Sequence, residues 1–225
     1  MIAANLKSVT LRMANSCERS GRPTGNVKLV CVTKESSIDE VQQVLAEGVK
    51  DLGENRVQEL ILKSQALGPM PNWHLIGHLQ TNKVKDAVRV ASLIHSVDSV
   101  KLAEEIDKQA ERLDKIQDIL VQVNISGEKS KFGIEPSAVS SFFKSLAVYD
   151  NINIRGLMGM APEVPDQEDA RPYFHKLRSI FDELNCNGSA INKLDILSMG
   201  MSNDFEVAIE EGSTLVRIGR AIFKK

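Results

Sequence analysis

Cysteine is scarce in this chain of 225 residues, and what there is stands far apart: Cys17, Cys31 and Cys186. An odd number without CxxC spacing argues against a disulfide framework and against a zinc site, and points to a reducing compartment. Long apolar runs are missing as well. No stretch approaches the ~20 residues that cross a bilayer. The opening MIAANLKSVTLRMANSCERSG is amphipathic and lacks the apolar core of a secretory signal, and Glu18 among its cations argues against a transit peptide. Nor is there an excess of one charge. Lys and Arg number 28 and Asp and Glu 30, a formal net charge of −2, which speaks against nucleic acid or a membrane surface as partner. Low-complexity tracts, linkers and solenoid repeats are absent. A cytoplasmic protein forming one domain over residues 1–225 is expected.

What the chain does have is alternation. Hydrophobic residues make up 42% of it, enough for a substantial core. Leu6, Val9, Met13 and Cys17 recur at helical spacing on a first helix ending near Arg19. Short apolar runs that read as strands then occur at 28–34, 49–55, 73–76, 92–97, 118–125, 152–158, 194–197 and 214–218. A helical pattern follows each. Strict β–α alternation implies a parallel sheet with helices outside it. Eight units in about 200 residues fit a single-domain (β/α)8 TIM barrel, an α/β fold, here with an extra N-terminal helix. An open doubly wound sheet is the alternative. The barrel is preferred because polar residues follow nearly every strand instead of gathering at one switch point.

In such a barrel all strand ends reach one face, where sites are built. That face would carry Lys34, Asn55, His78, His95, Asn124, Met158, Ser198 and Arg217. Lys34 ends the buried run LVCVT. Desolvation there would lower its pKa and make the amine a nucleophile, unless the side chain turns out into water. Gly200-Met201-Ser202 and Gly219-Arg220 follow the last two strands. Small residues leading into helix N-termini at those places form the usual phosphate cradle of these barrels. A ligand with an aldehyde at one end and a phosphate at the other suits both features, and pyridoxal 5′-phosphate has that shape. Lys28, Lys83 and Lys131 are the competing lysines, the last two after strand exits. No group of residues has metal-ligand spacing.

The blocks LVCVTK, DLGENRVQE, WHLIGHLQTNK, VQVNISGEKSKFG, RGLMGM, LSMGMSNDFEVAI and GSTLVRIGRAIF, in this order, resemble the pyridoxal-phosphate homeostasis protein family, single-domain relatives of the alanine racemase N-terminal barrel. The resemblance implies that Lys34 is the Schiff-base lysine, that Arg217 lies at the pyridine nitrogen and Asn55 near the ring. Ser202 and the backbone of Gly219 and Arg220 would hold the phosphate. His78 and Met199 complete the candidate set. The family usually has a small residue, often Thr, where Arg220 stands, and glycine where Lys224 stands. Arginine cannot accept a proton, so Arg217 would leave the ring nitrogen unprotonated and the electron sink weak. The only tyrosines, Tyr149 and Tyr173, fall away from the strand ends; His78 is a possible base. The implied function is a reversible Schiff-base carrier or buffer in intracellular vitamin B6 homeostasis, without robust catalysis. Its partners would be pyridoxal phosphate and apo forms of enzymes that use it; a monomer is expected. Two alternatives stand: a low-activity enzyme such as an amino-acid racemase, and a barrel that binds phosphate without a Schiff base.

Overall fold

The run at 28–34 becomes strand β1 (Lys28–Val32), because its β-branched residues suit a surface packed on both faces. In the computed structural model, which describes residues 1–128, 130–186 and 193–224, β1 pairs in parallel with two strands. One is β2 (Asp51–Glu54). The other is β8 (Leu215–Ile218), in register from Lys28↔Leu215 to Cys31↔Ile218. That second ladder closes a barrel through β3 (Asn72–Leu75), β4 (Leu93–Val97), β5 (Gln117–Val123), β6 (Ile152–Gly159) and β7 (Ile196–Ser198). The sheet is therefore the closed barrel and not the open alternative.

Helices α2 (Ile38–Ala46), α3 (Val57–Leu67), α4 (Val84–Val90) and α5 (Val100–Glu111) connect the first strands. The remaining connections hold α6 (Val139–Leu146), α7 (Arg171–Cys186) and α8 (Phe205–Glu210), and α9 (Arg220–Phe223) follows β8. Local chemistry places them. Ser37 starts α2 with a capping box: its hydroxyl accepts the Glu40 N–H at 3.3 Å, and Glu40 Oε2 accepts the Ser37 N–H at 2.8 Å. The extra helix α1 (Ile2–Arg19) buries Leu6, Val9, Met13 and Cys17 and packs on α8 and α9.

Two strands end differently from the sequence expectation. β1 stops at Val32; the Thr33 N–H still bonds the Gly53 carbonyl oxygen at 3.0 Å, and the chain then turns, with Ser36 N–H on the Thr33 carbonyl oxygen at 3.1 Å. β7 begins at Ile196 and not at Leu194. Leu194 is instead held by the Asn185 side chain, its N–H on Asn185 Oδ1 at 2.8 Å.

Side chains alternate across each strand, so one set fills the barrel and the other packs under the helices. Val30, Leu93, Leu120, Met158 and Leu215 form one cluster within the barrel. A much larger cluster lies between strands and helices. Above the inner apolar cluster the inward positions turn polar, and that change marks the site.

Candidate functional site

The C-terminal ends of the strands open onto a cavity of about 360 Å³. Of the eight residues singled out from sequence, seven line it: Lys34, Asn55, His78, Ser202, Arg217, Gly219 and Arg220. Met199 does not. It is fully buried in the outer core, its N–H on the Leu215 carbonyl oxygen at 3.2 Å and its own carbonyl oxygen accepting from Ser213 at 2.8 Å. The pleat explains this. Ser198 faces Arg217 inside the barrel, so the next residue faces outward, and Met201 reaches the cavity instead.

Lys34 is exposed at the cavity rim, so of the two alternatives left by the sequence its side chain takes the outward one. The buried ammonium is that of Lys63 on α3. Its Nζ donates to the Thr33 carbonyl oxygen at 2.6 Å and to Glu54 Oε1 at 2.7 Å. The Thr33 hydroxyl donates to the same carboxylate oxygen at 2.6 Å. Lys34 lies beyond the last ladder residue, on a turn whose next residue, Glu35, has φ +63°. A non-glycine residue in the left-handed region costs energy and is characteristic of functional turns. Lys28 stands at the opposite end of β1 and cannot compete with Lys34. Lys131 lines a neighbouring cavity of about 250 Å³, and Lys83 is half-buried in a short turn before α4.

Arg217 is the buried cation of the cavity, 4% exposed. Nη1 donates to Ser198 Oγ at 2.5 Å and Nη2 to the Gly159 carbonyl oxygen at 3.1 Å. Burial lowers its pKa to about 10, and nearby Asp204 opposes the shift. Asp204 is itself pushed up by burial, against the Met201 N–H it accepts at 2.6 Å. At the other wall, His78 stacks on Phe132 with ring centroids 3.8 Å apart, and its Nδ1 lies 3.7 Å from Asp98. Burial raises the Asp98 pKa, with His78 acting against it.

Backbone closes the floor. A Cβ on Gly219 would lie 2.7 Å from the Val32 carbonyl oxygen, and one on Gly77 would lie 2.2 Å from that of Asn55. Gly219 caps α9, whose first N–H groups have no acceptor within the helix. Ser202 Oγ accepts the Ala221 N–H at 3.2 Å, which ties the β7 exit to the β8 exit.

Sequence reading missed Gln122 and Phe132 in the wall, whereas Met160, placed by it on the strand-end face beside Gly159, is found there. Gln122 carried a signal: it is a lone polar residue between Val121 and Val123, hence inward on β5. It donates to the Phe132 carbonyl oxygen at 3.2 Å. Phe132 sits on a loop, where no periodicity assigns a direction. A cavity of this size is at the small end of ligand sites. It offers a primary amine, a buried guanidinium and a backbone-lined corner, a donor set that fits a small aromatic aldehyde bearing a phosphate.

Residues 5–225 match the family model described as alanine racemase, N-terminal domain. A pyridoxal phosphate homeostasis protein of Aquifex aeolicus is 44% identical over 219 residues, which cover 97% of this chain and 95% of that protein. The chain belongs to the pyridoxal phosphate homeostasis protein family. A solved structure of another relative, PipY of Synechococcus elongatus with pyridoxal phosphate bound, is 34% identical with a TM-score of 0.85; the match covers 99% of this chain and 100% of that one. Alanine racemase of Clostridium difficile is 16% identical with a TM-score of 0.74, and this chain spans 58% of it; that likeness is one of fold alone. Arg220 is exposed and borders both cavities.

Proposed function

We propose that this chain binds pyridoxal 5′-phosphate in the 360 Å³ cavity, reversibly and covalently through Lys34, and serves as a carrier or buffer of the cofactor inside the cell. The observation that carries the reading is that Lys34 at the rim and buried Arg217 inside line one cavity. The names of the relatives and the ligand of PipY support it.

Bound there, the cofactor would supply an aldehyde carbon open to amines and an electron-withdrawing ring. The rest falls to the chain. Lys34 Nζ is the attachment point. Arg217, a donor only, would meet the ring nitrogen and keep a proton off it. Ser202 and the N–H groups of Gly219 and Arg220 would hold the phosphate, with the Arg220 side chain free to add a charge-assisted bond. Asn55 and Ile76 border the space left for the ring.

The same wall argues for carrying over catalysis. Its titratable side chains are Lys34, His78, Arg217 and Arg220. No carboxylate or tyrosine is among its described residues, and chemistry at an amino-acid α-carbon needs a positioned acid or base. His78, with Asp98 beside it, is the feature that favours the second reading, a slow amino-acid racemase. We propose further that the carrier is a monomer of the cytoplasm and that apo enzymes are its recipients. Cys17 and Cys31, buried and free, suit a reducing compartment.

The test is spectroscopic. The loaded chain is expected to absorb near about 420 nm, to lose that band in Lys34→Ala, and to yield one borohydride-fixed adduct at Lys34 by mass mapping. A colourless chain that binds inorganic phosphate overturns the covalent reading. Mixing the loaded chain with an apo enzyme should restore that enzyme's activity. Turnover of L- or D-alanine that disappears in His78→Ala would decide for the racemase.

A further inference from the structure

A line of polar side chains crosses the barrel interior and leads away from the cavity. It runs from Arg217 to Ser198, His95, His74 and Asp51, and so joins β8, β7, β4, β3 and β2. Arg217 Nη1 donates to Ser198 Oγ at 2.5 Å. His95 Nδ1 lies 3.1 Å from Ser198 Oγ, and His95 Nε2 lies 2.9 Å from His74 Nδ1. His74 Nε2 reaches Asp51 Oδ1 at 3.1 Å. Asp51 is the first residue of β2, at the end of the barrel opposite the cavity, and its side chain is 27% exposed. His95 and Ser198 are fully buried.

With one proton on each ring, the carboxylate end fixes every proton in the line. A guanidinium only donates and a carboxylate only accepts. Ser198 accepts from Arg217, and its own hydroxyl hydrogen is then free to go to His95 Nδ1. His95 then carries its hydrogen on Nε2 and gives it to His74 Nδ1. His74 in turn carries its hydrogen on Nε2 and gives it to Asp51. Counting from Asp51 leads to the same assignment. In this arrangement every donor points from the cavity toward the far face. Burial agrees: it holds the His95 pKa well below the ordinary value, with His74 and Arg217 acting the same way. The His74 hydrogen bond keeps the Asp51 carboxyl low, helped by Asn72 on β3 and Lys28 on β1. At the Arg217 end Asp204 acts on the guanidinium, and Lys34 and Arg220 share its cavity.

We propose that Asp51, His74, His95 and Ser198 are positioning residues: the Asp51 carboxylate sets the direction of this chain and thereby keeps the Ser198 hydroxyl hydrogen turned away from the ligand cavity, so that Ser198 anchors Arg217 as an acceptor. The inference rests on the reading of Arg217 as the group that meets the cofactor's ring. It makes the far face of the barrel, where Asp51 meets solvent, a place from which the cavity is tuned. When Asp51 loses its charge, the direction is no longer imposed. Ser198 is then free to turn its hydroxyl hydrogen toward the cavity and compete with Arg217.

The experiment uses the full chain with 15N-labelled histidine, first without ligand. Near pH of about 7, His74 and His95 should both be neutral with the hydrogen on Nε2. In Asp51→Asn the ring nitrogens of His95, two links away, should change their shifts, and Asp51→Glu should restore them in part. A hydrogen on Nδ1 of either ring overturns the proposal. So does a His95 ring that ignores Asp51→Asn while His74 responds. With pyridoxal phosphate loaded, Asp51→Asn should move the pH midpoint of the visible band by about half a unit or more; an unmoved midpoint with altered histidine shifts also overturns it. A chain that takes up no cofactor but shows the assigned tautomers refutes the functional reading and leaves the relay standing.

Discussion

Lys63 Nζ donates to the Thr33 carbonyl oxygen at 2.6 Å, so a buried ammonium on α3 fixes the peptide that leads into Lys34. The carboxylate of Glu54 shares that ammonium, and its second oxygen, Oε2, is buried without a protein partner. The rim lysine is thus exposed, while the turn that carries it is anchored from behind.

Lys63→Met should therefore be among the most damaging single changes. It strands the Glu54 charge in the interior, a loss of about 3–5 kcal/mol. Lys63→Met combined with Glu54→Gln should cost less than Lys63→Met alone, because no charge is left behind. Urea denaturation of the two variants beside the parent chain measures both statements.

Stability should fall below neutral pH through His95. Its folded pKa lies well below the ordinary value because of burial, whereas the unfolded chain protonates near about 6.5. Above that pH both states are neutral there and the full contribution is present. As pH falls the unfolded state gains a proton that the folded state refuses, so stability drops by up to about 1.4 kcal/mol per pH unit. Asp51, depressed in the folded state, adds a loss of the same sign at lower pH, below about 4. Denaturation midpoints measured in steps from pH 7 downward should show a shallower slope in His95→Asn.

Gly77→Ala should distort the cavity. The added Cβ would meet the Asn55 carbonyl oxygen at 2.2 Å, and backbone cannot step aside as a flexible side chain can. A destabilisation of about 1–3 kcal/mol is expected, together with weaker cofactor binding as Asn55 shifts. Thermal melting and a titration with pyridoxal phosphate would report the two effects separately.

Phe132 contributes to the cavity by stacking on His78. It is more than half exposed, so Phe132→Ala should leave the fold within about 0.5 kcal/mol. It should speed cofactor release severalfold by opening that wall. Stopped-flow transfer to an excess of a competing amine gives the rate. Unchanged release would mean that the stack does not limit exit.

The alternation of β-branched runs with amphipathic segments was enough to anticipate all eight strands and the closure, because parallel strands buried on both faces have few other arrangements. Most of the cavity was legible for the same reason: strand ends share a face. Inference failed where the pleat runs out. Met199 was assigned inward from its neighbourhood, yet Ser198 already occupies the inward position of β7. Lys34 was left between desolvation and a turn out into water, and it is exposed because the ladder ends two residues earlier. The partner that buries an ammonium is chosen by tertiary packing, so Lys63 on a helix could not be told from an ordinary surface lysine. His74 and His95 sit one on each of two adjacent strands, but only the closed barrel reveals that they touch.

The size of the cavity has a consequence for the cell. About 360 Å³ holds one phosphorylated pyridine and leaves no room for a second, so on the proposed function each chain stores one molecule at this site. The amount the cell can hold in this form then rises only with the number of copies of the protein it makes, and storage becomes a matter of gene expression as much as of affinity.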